Sequence, residues 1–98
     1  MIRHVSVITF KDGTTDDDVQ SVADAISVLP ERLPIRRYHF GRDLGLTQGN
    51  AGFGIVADFD SVNDFLTYRD DPEHQRIIAE ILRPLIAART VLQYETRE

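Results

Sequence analysis

The sequence predicts one α+β domain, a four-stranded antiparallel sheet with helices on a single face. Three observations carry this. Hydrophobic periodicity alternates between two and 3.6 in the order strand, helix, strand, strand, helix, strand. Turn or cap residues stand at each change of period. The length, 98 residues, suits one domain over 1–98, able to bury roughly two thirds of its unfolded surface.

The first strand runs Ile2 to Phe10 and ends at the turn Lys11-Asp12-Gly13. Alternation places Val5 and Val7 on one face and His4, Ser6, Ile8 and Phe10 on the other. Thr14 or Thr15 caps the first helix, where Asp16, Asp17 and Asp18 complement the helix dipole. Val19, Val22, Ile26 and Leu29 form its apolar stripe, and Pro30 and Pro34 bracket the exit. Ile35 to Phe40 reads as the second strand, Gly41 to Asn50 as a polar loop, and Ala51 to Phe59 as the third strand.

Ser61, with Asp64 three residues on, approximates a capping box for a short helix with the stripe Val62, Phe65, Leu66 and Arg69. Asp71 caps the next helix and Pro72 takes its first position. Its stripe is Ile77, Ile78, Ile81, Leu82 and Leu85, until Pro84 kinks or ends it. Thr90 to Glu95 closes as the fourth strand, Val91 and Gln93 against Leu92 and Tyr94. The order β-α-β-β-α(α)-β is the split βαβ, ferredoxin-like arrangement. Several strands carry apolar residues on both faces, and helices cover one. A second copy packed sheet to sheet is the simplest cover, so the expected state is a homodimer through the open face.

Composition narrows the function classes. With no cysteine, disulfides, thiolate zinc sites, iron–sulfur clusters and Cys nucleophiles are excluded. Sixteen acids against 11 bases give a net charge of −5, ill suited to a phosphate backbone, so nucleic acid is not an expected partner. No apolar run approaches the ~20 residues of a membrane span, and Met1-Ile2-Arg3-His4 opens no signal peptide. The expectation is a cytoplasmic protein away from membranes. Three histidines without close ligand spacing point to no metal site, and no motif asks for a cofactor.

Specific segments carry a family resemblance. These are Ile2-Arg3-His4-Val5, Phe10-Lys11-Asp12-Gly13, Phe40-Gly41-Arg42-Asp43 and Ala57-Asp58-Phe59-Asp60-Ser61. Above all they are Tyr68-Arg69-Asp70-Asp71-Pro72-Glu73-His74 and Leu82-Arg83-Pro84-Leu85-Ile86-Ala87. Together they resemble the stress-responsive A/B barrel (Dabb) family, a branch of the dimeric α+β barrels, over essentially the whole chain. The resemblance implies two sheets forming a shared barrel with helices outside. The family includes a plant polyketide cyclase, stress-induced plant proteins and bacterial proteins without assigned chemistry. In the cyclase a Tyr and a His do acid–base work, and Tyr68 and His74 match them. His4 matches a substrate-pocket His on the first strand. Some plant members hold a cation after the first helix. The stretch between Pro34 and Gly41 is one residue shorter here, so that site is not carried over.

Each residue also has a plainer role. His74 falls on the inward stripe 74, 78, 81, 85 and in a first helical turn, where the dipole favours neutral imidazole; there it either caps and packs or acts as a base. Tyr68 lies at the edge of the inner face, as a rim aromatic or as a donor to a developing oxyanion. His4 binds substrate or hydrogen-bonds within the barrel. His39 reads as surface or interface, and Arg36, Arg37 and Arg42 as a solvated strand edge with some capacity to grip a carboxylate. Two readings follow. One is a cofactor-free cyclase, lyase or isomerase acting on a small hydrophobic carbonyl compound through His74 and Tyr68. The other is a non-catalytic, stress-related or ligand-binding dimer. The haem-degrading monooxygenases of a sister branch use a Trp, which this chain lacks.

Overall fold

The computed structural model describes residues 1–97. Four strands, β1 (Ile2–Phe10), β2 (Arg37–Arg42), β3 (Phe53–Phe59) and β4 (Ile86–Glu95), form one sheet in the order β2-β3-β1-β4. Every neighbouring pair is antiparallel. Three α-helices, α1 (Asp16–Ser27), α2 (Val62–Asp70) and α3 (Pro72–Ile77), complete the ferredoxin-like fold. No helix among the described residues is long and apolar enough to cross a membrane.

Local chemistry sets the helix starts. The Thr15 hydroxyl accepts from the Asp18 amide at 3.1 Å while the Asp18 carboxylate accepts from the Thr15 amide at 3.0 Å, a reciprocal box. Ser61 caps α2 through the Asp64 amide, and Asp71 caps α3 through the His74 amide. Strand alternation then builds the core: Ile8 from β1 and Phe53, Ile55, Ala57 and Phe59 from β3 meet Val19, Val22 and Ile26 of α1.

Three expectations shift. β2 begins at Arg37 and not Ile35, because the Ile35 amide closes a tight turn on the Leu33 carbonyl at 2.7 Å before the ladder starts. The strand also runs two residues past Phe40, and β3 begins at Phe53 and not Ala51. β4 begins at Ile86 rather than Thr90. Pro84 ends the helical path in a 3₁₀ turn (Arg83–Leu85), and the chain enters the sheet at once, its register against β1 slipping between Thr9 and Phe10.

The stripe of α2 is also rotated. Val62 and Arg69 are exposed, Phe65 and Leu66 half-buried, and Tyr68 is the buried centre at 3% exposure. After α3 the helix widens into a π turn over Ile78–Leu82, in which the Arg83 amide reaches back to the Ile78 carbonyl. Ile77 at the end of α3 and Leu82 at the end of the π turn are both buried.

Candidate functional site

Between the helix-covered face of the sheet and the α2–α3 corner lies a polar cluster in an otherwise apolar interior. His4 and Ser6 are buried there among apolar neighbours. Across β4 the register sets Gln93 opposite His4, Val91 opposite Ser6 and Arg89 opposite Ile8, so these β4 side chains share that face.

The corner itself is over-determined. Asp71 is extended at φ −57, ψ 128, as a residue before proline must be. Its carboxylate takes the His74 amide at 2.9 Å and a bidentate grip from Arg32 at 3.2 and 2.7 Å. The Gln75 side-chain amide donates to the Arg69 carbonyl. The corner therefore brings Tyr68 and His74 ring against ring, centroids 4.1 Å apart, with the His4 ring 6.0 Å from that of Tyr68.

Hydrogen bonds assign the tautomers. His74 Nδ1 lies 2.8 Å from the Tyr68 carbonyl, which only accepts, so Nδ1 carries the proton and Nε2 the lone pair. His4 Nδ1 lies 2.8 Å from the Gln93 amide nitrogen, which only donates, so the His4 proton sits on Nε2. The two imidazoles are complementary: His74 offers an acceptor, His4 a donor.

Burial keeps the cluster uncharged. Desolvation pushes His4 down to about 4, helped by Arg89 and His74, and pushes His74 below its ordinary value against the pull of the Tyr68 and Arg69 backbone. The Tyr68 and Tyr38 phenols are pushed up, again chiefly by burial. The buried Tyr38 hydroxyl faces that of Tyr68, which adds to the upward push on Tyr38. It lines a small, partly enclosed cavity of about 10 Å³ with His4, Ser6, Tyr68 and His74, room for about one water molecule. An open cleft of about 260 Å³ shares His4, Tyr68, His74 and Arg89 as walls and adds Arg83 and Gln93.

All three expected site residues thus meet, but Tyr68 is buried and not a rim residue. His39 is exposed on β2, which turns Tyr38 and Phe40 toward the core, and lies near Asp58 on the opposite face of the sheet. Sequence reasoning missed Tyr38, Gln93 and Arg89. The parity of β4 was the available signal, since 89, 91 and 93 alternate with Leu92 and Tyr94. Among the described residues no group of three His, Cys, Asp or Glu is placed to hold a metal ion.

Comparison with known proteins bears on this geometry. A family model for the Stress Responsive A/B Barrel Domain (Dabb) matches residues 2–96. A dimeric ferredoxin-like protein of unknown function from Thermobifida fusca is 38% identical, with a TM-score of 0.89 over 97% of this chain and 90% of that one. A Dabb family protein from Mesorhizobium loti shares the fold at 19% identity and TM-score 0.81, covering 99% of this chain and 97% of its own. The hydroxynitrile lyase of Passiflora edulis shares it at 22% identity and TM-score 0.84, covering 99% and 94%. Among curated proteins, none matches.

Proposed function

Because the chain belongs to the stress-responsive A/B barrel (Dabb) family, we propose that it is a homodimer performing cofactor-independent acid–base chemistry on a small carbonyl compound. One observation carries the reading: His4, Tyr68 and His74 line one cleft, and their hydrogen bonds leave a lone pair on His74 Nε2 and an N–H on His4 Nε2. In this mechanism His74 Nε2 takes a proton from the carbon next to the carbonyl. The C–H electron pair becomes an enolate, and the oxygen's charge is met by the Tyr68 hydroxyl and His4 Nε2–H. The His74 imidazolium then returns its proton. Ring closure onto a second carbonyl makes the enzyme a polyketide cyclase-like protein, expulsion of a leaving group a lyase, and reprotonation elsewhere an isomerase. The lyase outcome has a counterpart of the same fold in the Passiflora hydroxynitrile lyase.

The open cleft supports a ligand site over a sealed, purely structural cluster. On the other face of the sheet Val7, Leu92 and Tyr94 are 40–50% exposed, which supports pairing through that face, and the Thermobifida relative is dimeric. The alternative, a ligand-binding dimer without catalysis, parts from this reading in one assay. Aryl ketones and β-keto esters are incubated with the protein in D₂O, and loss of the α-proton NMR signal is followed. The wild type is expected to accelerate exchange of at least one compound. His74→Gln is expected to lose roughly 10²- to 10⁴-fold of that rate, and Tyr68→Phe about 10²-fold. A compound that binds without faster exchange, or equal rates in His74→Gln, establishes the alternative.

A further inference from the structure

In a chain of 16 acids and 11 bases an arginine finds a carboxylate easily. Arg3, Arg32, Arg36, Arg42, Arg69 and Arg76 each pair with an Asp or Glu. Arg83 and Arg89 have no carboxylate partner among the described residues, and both line the cleft beside His74. Arg89 is also aimed. Its Nε donates to the buried Ser6 hydroxyl at 3.2 Å, and among the described residues its two terminal nitrogens have no hydrogen-bond partner. A planar guanidinium anchored this way presents the edge that matches a carboxylate bidentately. The molecule's net charge of −5 attracts no anion, so the preference is local to this cleft.

We propose that Arg89, supported by Arg83, is a carboxylate-recognition element, and that the carbonyl substrate is therefore an oxo acid. This rests on the acid–base reading of His74 and names its substrate class. The acid group takes the terminal nitrogens of Arg89, and the ketone is left to His74, His4 and Tyr68 on the same cleft. Arg89 also acts on the histidines, since its charge adds to the desolvation that keeps His4 and His74 neutral.

The test uses 4-oxo-4-phenylbutanoate and its methyl ester, which differ in charge and little in shape, titrated calorimetrically into the full-length protein at low salt. The acid is expected to bind roughly 10- to 100-fold more tightly than the ester, a preference that shrinks as salt is raised. Arg89→Gln is expected to abolish the preference and leave ester binding intact, which shows that the cleft is folded. Arg83→Gln is expected to reduce the preference. If Arg89→Gln also loses the ester, Arg89→Lys is the deciding variant: intact ester binding with a weakened preference supports the proposal. Equal binding of acid and ester by the wild type overturns it, as does a preference that survives in Arg89→Gln or is undiminished in Arg89→Lys. Binding of neither compound also overturns it. Failure of the acid–base reading looks different: the acid preference is present, and α-proton exchange of the bound acid is no faster than in free solution.

Discussion

The two faces of the sheet are built from the same four strands and treat charge in opposite ways. On the open face Arg3 grips Asp58 bidentately at 2.8 and 2.9 Å, and the pair holds the Asp58 carboxyl below the usual carboxylate range. On the helix-covered face His4, the next residue along β1, has no ionic partner among the described residues and is held neutral chiefly by burial. Adjacent residues thus reach opposite electrostatic ends because a strand sends them to opposite faces. Where a charge has a partner it is kept; where polar groups are buried without one, they stay uncharged and available. The proposed dimer uses the open face, and the proposed proton transfer uses the covered one.

The largest expected effect breaks the open face alone. Leu92→Arg places a charge on the apolar face of the proposed dimer and is expected to cost several kcal/mol of association, read as a monomer by sedimentation. Ligand affinity of the cleft on the other face is expected to persist.

The two faces are next separated by pH. His4, lowered to about 4 from an ordinary value of 6.5, binds its proton more readily when unfolded. Its neutral form therefore stabilises the fold above pH 6.5, and that contribution is lost as pH falls from 6.5 toward 4, on the order of 3 kcal/mol in all. His4→Gln is expected to flatten that limb in urea titrations. Asp58 acts lower down. Its contribution is complete above the ordinary value of 3.8 and is lost as pH falls further, through its depressed value. Because Arg3 is 27% exposed, Asp58→Asn is expected to cost only about 1–2 kcal/mol at neutral pH, with the His4 limb unchanged. The smallest effect is at Tyr38: Tyr38→Phe removes a buried hydroxyl that faces Tyr68 across a polar cavity, and is expected to cost no more than about 1 kcal/mol, seen as a slightly lower urea midpoint.

Legibility in the sequence followed the range of the interactions involved. The caps at Thr15, Ser61 and Asp71 were readable because each bond spans three residues. The start of β4 was not, because Ile86-Ala87-Ala88 carries no polar alternation and joins the sheet through its pairing with Thr9 and Phe10. The Tyr68–His74 pairing was legible in the spacing around Pro72. The burial of Tyr68 was not, because it depends on how the corner rotates α2. Arg89 was overlooked because nothing near it in the chain points to His4, Ser6 or His74. The tautomer of His4 is set by Gln93, 89 residues away. Family resemblance supplied the names of three site residues; the opposed tautomers and the unpaired arginines come only from the folded chain.

The proposed chemistry depends on one cleft holding both a neutral imidazole acceptor and a neutral imidazole donor. Histidine ¹⁵N NMR across a pH titration tests it directly, without knowledge of the substrate. The expected result is His74 protonated on Nδ1, His4 protonated on Nε2 and titrating near 4, and neither charged at pH 7. A His74 proton on Nε2, or both histidines titrating at the ordinary value near 6.5, contradicts the claim.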